Sequence, residues 1–263
     1  MQQPIGFFDS GIGGTSIWKE VTKLLPNENT IYLADSLNAP YGEKTKNEIL
    51  NFSIKNTEFL LQKNCKLIVV ACNTATTNSI EQLRKSYNIP FIGIEPAIKP
   101  AALFTKTNSV GILATAGTLS SALFSKTATT FASNIRITEQ IGEGLVTLIE
   151  NGKLYSDEMT ELLNKYLQPM LQNNIDYLVL GCTHYPFLIP QIKTIVGENV
   201  EIIDAGIAVA KQTKAILEQH QLLNLNSVKS CHDFYSNKII DTLKRIVIAN
   251  NKHDCLNFFT EKF

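Results

Sequence analysis

The sequence has no surplus of charge. Its 24 Lys plus Arg are matched by 24 Asp plus Glu, and no basic block or stripe stands out. A broad nucleic-acid footprint needs such a surface, so no nucleic-acid partner is expected. No apolar run approaches the roughly 18 residues of a membrane span, so no membrane partner is expected either. The first residues, M-Q-Q-P-I-G-F-F-D, lack a basic segment followed by a long apolar one and do not read as a signal peptide. Cysteine is sparse: Cys65, Cys72, Cys182, Cys231 and Cys255. The count is odd, the spacing wide, and C-x-x-C is missing. That is a poor disulfide framework and suits a reducing cytosol, so the expected compartment is the cytoplasm. Cys65, Cys231 and Cys255 read as small buried hydrophobes. Flavin, pyridoxal and nucleotide motifs are lacking. A zinc site from Cys182, His184, Cys231 and His232 would match no common ligand spacing. No metal and no other cofactor is expected.

What is present is an apolar fraction of 44% over 263 residues. That suffices for one large domain or two modest ones. Buried strands are expected at 4–8, 30–34, 67–71, 91–94 and 109–114. Helical patterning is expected at about 15–25, up to 63, 75–87 and 157–172. Strands alternating with helices across short loops indicate an α/β fold with mainly parallel sheets. Runs such as Leu67 to Ala71 are continuously apolar, as expected of strands covered on both faces.

The pattern restarts part-way along. Ser109 to Ala114, followed by T-A-G-T at Thr115 to Thr118, parallels I-G-F-F-D-S-G. Val110 lies 105 residues after Ile5 and Cys182 lies 110 after Cys72. Near-constant offsets support an internal duplication. The expected organisation is two pseudo-symmetric three-layer lobes. The first would hold residues 1–95 plus 206–263, the second 96–205. The last stretch would complete the first lobe with a helix near 209–219, a strand near 227–234 and a helix near 238–249. In open α/β sheets ligands sit beyond the carboxyl ends of the strands. Asp9, Cys72, Thr115 and Cys182 are all placed there, so the active site is expected in a cleft between the lobes.

Cys72 and Cys182 differ from the other cysteines. Each ends an apolar strand, in I-V-V-A-C-N-T-A and L-V-L-G-C-T-H-Y. Each is followed by hydroxyl or amide side chains, and a helix is expected to begin soon after. A helix N-terminus favours a thiolate. Hydrolysis by a thiol needs one nucleophile and one base and does not explain a duplicated site. Inversion of a carbon centre by proton exchange does: one group removes a proton from one face, and the other supplies a proton to the opposite face.

In D-S-G-I-G-G the glycines begin a dinucleotide-type pattern, with Asp35 near the position of a ribose-binding acid. Asp9 beside a pyrophosphate would be unfavourable, so a different use is expected. Backbone N–H groups and Ser10 would take a small carboxylate, and Asp9 would bind an ammonium or assist Cys72. The plain alternative is a tight turn with Asp9 as its cap. Ser10, Asn73, Thr74, Thr115, Thr118 and Thr183 suit a small polar zwitterion. No arginine is near them to fork onto a large anion. His184, two residues past Cys182, is placed to poise proton transfer.

D-S-G-I-G-G (Asp9–Gly14), P-Y-G (Pro40–Gly42), A-C-N-T-A (Ala71–Ala75) and G-C-T-H-Y-P (Gly181–Pro186) resemble the signature segments of the glutamate racemase family. The resemblance extends from Ile5 to about Ala210. It implies two α/β lobes, cofactor-independent racemisation of glutamate, supply of D-glutamate for peptidoglycan, and a homodimer. It implies Cys72 as the base for D-glutamate and Cys182 for L-glutamate, with Asp9 and His184 assisting. Ser10, Pro40, Tyr41, Gly42, Asn73, Thr74, Thr115, Thr118 and Thr183 match substrate-contacting positions. The stretch I-G-E-G-L-V-T-L-I-E-N-G departs from the family pattern. Glu150 matches the family's glutamate and is counted among the catalytic residues, with Glu143 as a competitor. A racemase for aspartate or another small amino acid is the nearest rival. A non-catalytic amino-acid-binding module is the rival of another class.

Overall fold

A computed structural model describes residues 3–132, 134–226, 229–238, 240–250 and 255–263. The chain forms two compact units, one ending at Ile94 and resuming over Gly206–Phe263, the other spanning Glu95–Ala205. The first unit opens with β1 (Ile5–Asp9), α1 (Thr15–Leu24), β2 (Thr30–Ala34), α2 (Lys46–Gln62), β3 (Leu67–Val70), α3 (Asn73–Ser86) and β4 (Phe91–Ile92). The second contains α4 (Ile98–Phe104), β5 (Ser109–Ala114), α5 (Ala116–Leu119), α6 (Ala122–Phe131), β6 (Arg136–Ile141), α7 (Leu145–Glu150), α8 (Asp157–Gln172), β7 (Tyr177–Gly181), α9 (Ile189–Val196) and β8 (Glu201–Ile203). The return segment adds α10 (Gly206–Gln219), β9 (His232–Ser236), α11 (Asp241–Asn250) and β10 (Leu256–Thr260) to the first unit.

Among the described residues the first sheet has the order β10-β9-β2-β1-β3-β4 and the second β6-β5-β7-β8. All pairings are parallel. The order 2-1-3-4 thus recurs as 6-5-7-8, with β1 matching β5 and β3 matching β7. The duplication seen as near-constant offsets is a duplication of sheet order. The central strands β1 and β5 are buried along their whole length. In the first unit Phe8, Leu33, Ile49, Ile68 and Val70 share a core cluster with Tyr41 and Cys72. In the second, Val110, Ile112, Phe124 and Val179 form another. Burying one such aliphatic side chain contributes about 1.5–3 kcal/mol. Local signals set the helix starts. Thr45 and Glu48 make a reciprocal capping box at α2, which satisfies two otherwise orphaned backbone donors.

The C-terminal expectations need correction. The strand expected at 227–234 is His232–Ser236; residues 227 and 228 lie outside the described residues. Pairing with β2, which sets Thr30 opposite His232 and Ala34 opposite Ser236, fixes this register. The helix expected at 238–249 is Asp241–Asn250. Strand β10 was not anticipated. It pairs with β9 so that Leu256 lies opposite His232. This places the preceding residues, Cys231 and Cys255, side by side with Cα atoms 4.8 Å apart, and they form a disulfide. That separation lies within bridging range. The expectation that both are unbridged buried cysteines is therefore wrong, and the cysteines no longer argue for a reducing compartment. Cys65, Cys72 and Cys182 are not in disulfides.

Candidate active site

In the first unit Asp9, Asp35 and Cys72 lie at or just past the carboxyl ends of β1, β2 and β3. The turn after β1 is closed by Asp9, whose Oδ2 accepts the N–H groups of Gly11 (3.2 Å) and Gly14 (2.9 Å). These two amides are therefore engaged by Asp9 rather than offered to a ligand carboxylate or pyrophosphate. Asp9 thus caps this turn. Only glycine fits at Gly14: a Cβ there would lie 2.7 Å from the Ala71 carbonyl oxygen and 2.8 Å from Asp9 Cβ.

Helix α3 begins at Asn73, two residues earlier than expected, so Cys72 is itself the N-cap. Its Sγ accepts the Ala75 N–H at 3.4 Å. The positive end of a helix therefore faces the sulfur directly, which favours the thiolate. Ser10 Oγ lies 3.9 Å from the same sulfur. Cys72 is 5% exposed, and Asn73 and Thr74 beside it are buried. The Asn73 Nδ2 is buried and makes no hydrogen bond. An unmet buried donor costs about 1–3 kcal/mol, so this amide is poised for an acceptor brought in by a ligand. Pro40 follows a cis peptide bond from Ala39. The one-turn 3-10 helix of Tyr41–Glu43 carries Tyr41 and Gly42 and packs against α3. The Tyr41 hydroxyl donates to Asp35 Oδ2 at 2.5 Å and accepts from Asn56 Nδ2 at 3.2 Å. Burial raises the Tyr41 pKa well above the ordinary phenol value, and the charges of Asp35 and Cys72 add to the effect.

The second unit solves the same problem differently. Cys182 lies one residue past β7 and is also nearly buried. The chain beyond it enters a 3-10 helix, Tyr185–Leu188, that runs straight into α9, with the Tyr185 N–H donating to the Cys182 carbonyl at 3.1 Å. The sulfur instead meets a side chain. Cys182 Sγ is 3.8 Å from His184 Nδ1, and His184 Nε2 is 2.6 Å from Glu150 Oε1. Burial of His184 works against the imidazolium, but the hydrogen bonds and charges of Cys182 and Glu150 prevail. Its pKa lies well above the ordinary histidine value. Glu150 is at the C-terminal end of α7. Glu143, its competitor, is exposed; its carbonyl accepts the Tyr166 hydroxyl. Thr183 and Thr118 are buried, and Thr118 Oγ1 is 3.1 Å from Thr115 Oγ1.

Of the four residues weighed for zinc, Cys231 is in the disulfide. His232 is engaged by Thr30 and Ser230 through its two ring nitrogens. Tyr185 was overlooked as a functional candidate. It is fully buried, its hydroxyl donates to the Gly142 carbonyl, and its pKa is raised far above normal by burial, with Cys182 contributing. Each cysteine thus has a buried tyrosine in its electrostatic surroundings.

The Asp/Glu/Hydantoin racemase family matches residues 14–213. The chain belongs to this family. It is 48% identical over 223 residues to the glutamate racemase of Ectopseudomonas mendocina, covering 84% of this chain and 85% of that one. Among solved structures, glutamate racemase isoform RacE1 from Bacillus anthracis superposes with a TM-score of 0.86 at 30% identity, covering 99% of this chain and 97% of that one. The Escherichia coli glutamate racemase in complex with L-glutamate also gives 0.86, at 30% identity and 98% coverage of each chain. The Francisella tularensis enzyme in complex with D-glutamate gives 0.83 at 29% identity, covering 98% and 97%. Within the racemase family, then, both enantiomers have been seen bound to folds closely similar to this one.

Proposed function

We propose that this chain interconverts L- and D-glutamate by proton exchange at the α-carbon without a cofactor, supplying D-glutamate for peptidoglycan. The observation that carries this reading is the matched pair of nearly buried, unbridged cysteines at corresponding strand ends, each with its own activating partner. Cys72, as thiolate, takes the α-proton from D-glutamate. The electron pair of the broken C–H bond is left on the α-carbon and is delocalised into the carboxylate. The Cys182 thiol then gives its proton to the opposite face, its S–H pair remaining on sulfur beside the His184 imidazolium. The reverse reaction exchanges the roles.

The acidity gap is large. A thiol with pKa about 8.5 is only about 3% thiolate at pH 7, and lowering it to about 7 takes close to 2 kcal/mol. The α3 N-terminus facing the Cys72 sulfur works in that direction. The greater part must come from donors preorganised around the developing carbanion and its carboxylate. Asn73, Thr74, Thr115, Thr118 and Thr183, with Ser10, Pro40, Tyr41 and Gly42, are the groups proposed to hold the substrate. The buried unpaired Asn73 amide supports that assignment. The cytoplasmic setting and the homodimer belong to the same proposal, and light scattering on the purified protein tests the latter.

Incubation with each enantiomer of glutamate and of aspartate in D2O, followed by optical rotation and α-deuterium incorporation, tests the reading. Turnover of glutamate is expected. Faster turnover of aspartate would reassign the substrate, and no turnover of any would leave a binding module. Cys72→Ala and Cys182→Ala are each expected to abolish racemisation. Full activity in either variant would remove the two-base mechanism.

A further inference from the structure

The family match ends at residue 213, yet the later chain reaches back to the Cys72 group. Strand β9 lies beside β2, with Ser236 opposite Ala34. The next residue on each strand, Asn237 and Asp35, therefore emerges at the same sheet end. Asn237 Nδ2 donates to Asp35 Oδ1 at 2.5 Å, and Asn237 Oδ1 accepts the Leu37 N–H at 2.9 Å. One carboxamide thus holds the Asp35 carboxylate and the backbone two residues on. Asn38 Nδ2 donates to the same Asp35 oxygen at 2.8 Å, and the Asp35 N–H donates to the Asp9 carbonyl at 3.0 Å. The other carboxylate oxygen takes the Tyr41 hydroxyl, which also accepts from Asn56. Tyr41 packs in the cluster that contains Cys72 and Ala75. Asp35, Tyr41 and Asn56 are all nearly inaccessible.

From these hydrogen bonds, which lead from Asn237 to a tyrosine of the Cys72 cluster, we infer that Asn237 is a positioning residue for the Cys72 thiol. Acting through Asp35, it holds the Tyr41 ring as a wall of the pocket in which that sulfur reacts. The inference rests on the racemase reading for its catalytic consequence but not for its geometry. A bidentate amide where the end of β9 meets this loop is a stiff tie. Asn38 lies within the loop itself and the Asp35 N–H ties it to β1, so Asn237 is the contact that ties it to β9. Burial raises the Asp35 pKa, and the donors Tyr41, Asn237 and Asn38 oppose the rise. Each of these donors favours the charged, accepting carboxylate.

The test uses the full-length protein and Asn237→Ala, with Asn257→Ala as control. Asn257 is in the same C-terminal segment, and its side chain donates to Asp233 in an exposed pair. Two readouts are taken: steady-state racemisation, and the rate at which iodoacetamide alkylates Cys72 and Cys182 separately, resolved by peptide mass mapping at about neutral pH. Loss of a partly buried hydrogen bond to a charged group corresponds to about a tenfold effect. Asn237→Ala is expected to lower kcat about tenfold and to speed Cys72 alkylation severalfold, with Cys182 alkylation unaltered. A general loss of stability would move both thiols together. Equal change at both sulfurs, no change at Cys72, or an exposed Cys72 with kcat intact overturns the inference. Should Asn237→Ala not fold, Tyr41→Phe cuts the same chain at its other end while keeping the ring. It is expected to give the same one-sided pattern, and its failure to do so is equally decisive. An inactive wild-type protein would count against the racemase reading alone, because the alkylation pattern is read without turnover.

Discussion

At the scale of single residues, the two cysteines have unlike neighbours. Cys72 draws on the backbone dipole of α3. Cys182 lies beside a titratable group, His184, and in the proposed mechanism this makes its half of the reaction the pH-sensitive one. Because the folded pKa of His184 is raised, the Glu150–His184 contribution to stability is fully present below the unfolded value of about 6.5. It is lost as pH rises through the elevated folded value. Glu150→Gln removes one of the groups that raise it. The imidazole of His184 is then expected to titrate at lower pH, observed by NMR of its ring nitrogens. The alkaline limb of racemisation starting from L-glutamate should move in the same direction. An unmoved imidazole titration would mean that the 2.6 Å contact does not control the proton on this ring. The third unbridged cysteine is different in kind. Burial pushes Cys65 up to about 12, so it stays a thiol at neutral pH and does not confuse the alkylation experiment.

At the scale of elements, strand ends do the placing. Continuous apolar runs made β1, β3, β5 and β7 readable, and with them the positions of Asp9, Cys72, Thr115 and Cys182. Sequence periodicity was less informative where burial is partial. Strand β10, L-N-F-F-T, is an edge strand of mostly intermediate and exposed residues, held in part by stacking of Phe258 on Phe234 and Phe259 on Tyr235. Its isolated pattern carries no register, so the cysteine before it gave no hint of its partner. The Cys231–Cys255 bond predicts that thiol titration of the unfolded, unreduced protein counts three thiols, rising to five after reduction. Five before reduction would show that the pair is open. The helix boundary at Asn73 matters as much. A helix starting at Ala75, as expected, would not have made Cys72 its cap.

At the scale of the whole chain, the first unit is discontinuous, and its closing segment must be fastened to strands laid down two hundred residues earlier. A buried ion pair does part of this. Lys66 Nζ lies 2.6 Å from Glu28 Oε2 and donates to the Leu222 carbonyl at 2.7 Å, while Glu28 Oε1 accepts the Asn224 N–H at 2.7 Å. Both side chains are almost fully buried. Removing one partner strands the other charge, a loss of about 3–5 kcal/mol. Lys66→Met is therefore expected to lower stability by about 3 kcal/mol, read as a lower urea midpoint. A midpoint equal to the wild type would show that the pair contributes nothing net.

The sequence by itself determined the alternation of buried strands and helices, the repeat of that pattern, and the two polar-flanked cysteines that end matching strands. These are local properties: apolar continuity, turn chemistry and spacing are carried by neighbouring residues. Only the tertiary structure decided what each cysteine answers to. The Glu150–His184 contact spans 34 positions, and the Asn237–Asp35 contact spans 202. Contacts of that range depend on which strands lie side by side and in what register. No stretch of sequence long enough to form one element encodes that, because the hydrogen bonds that fix it are made between elements.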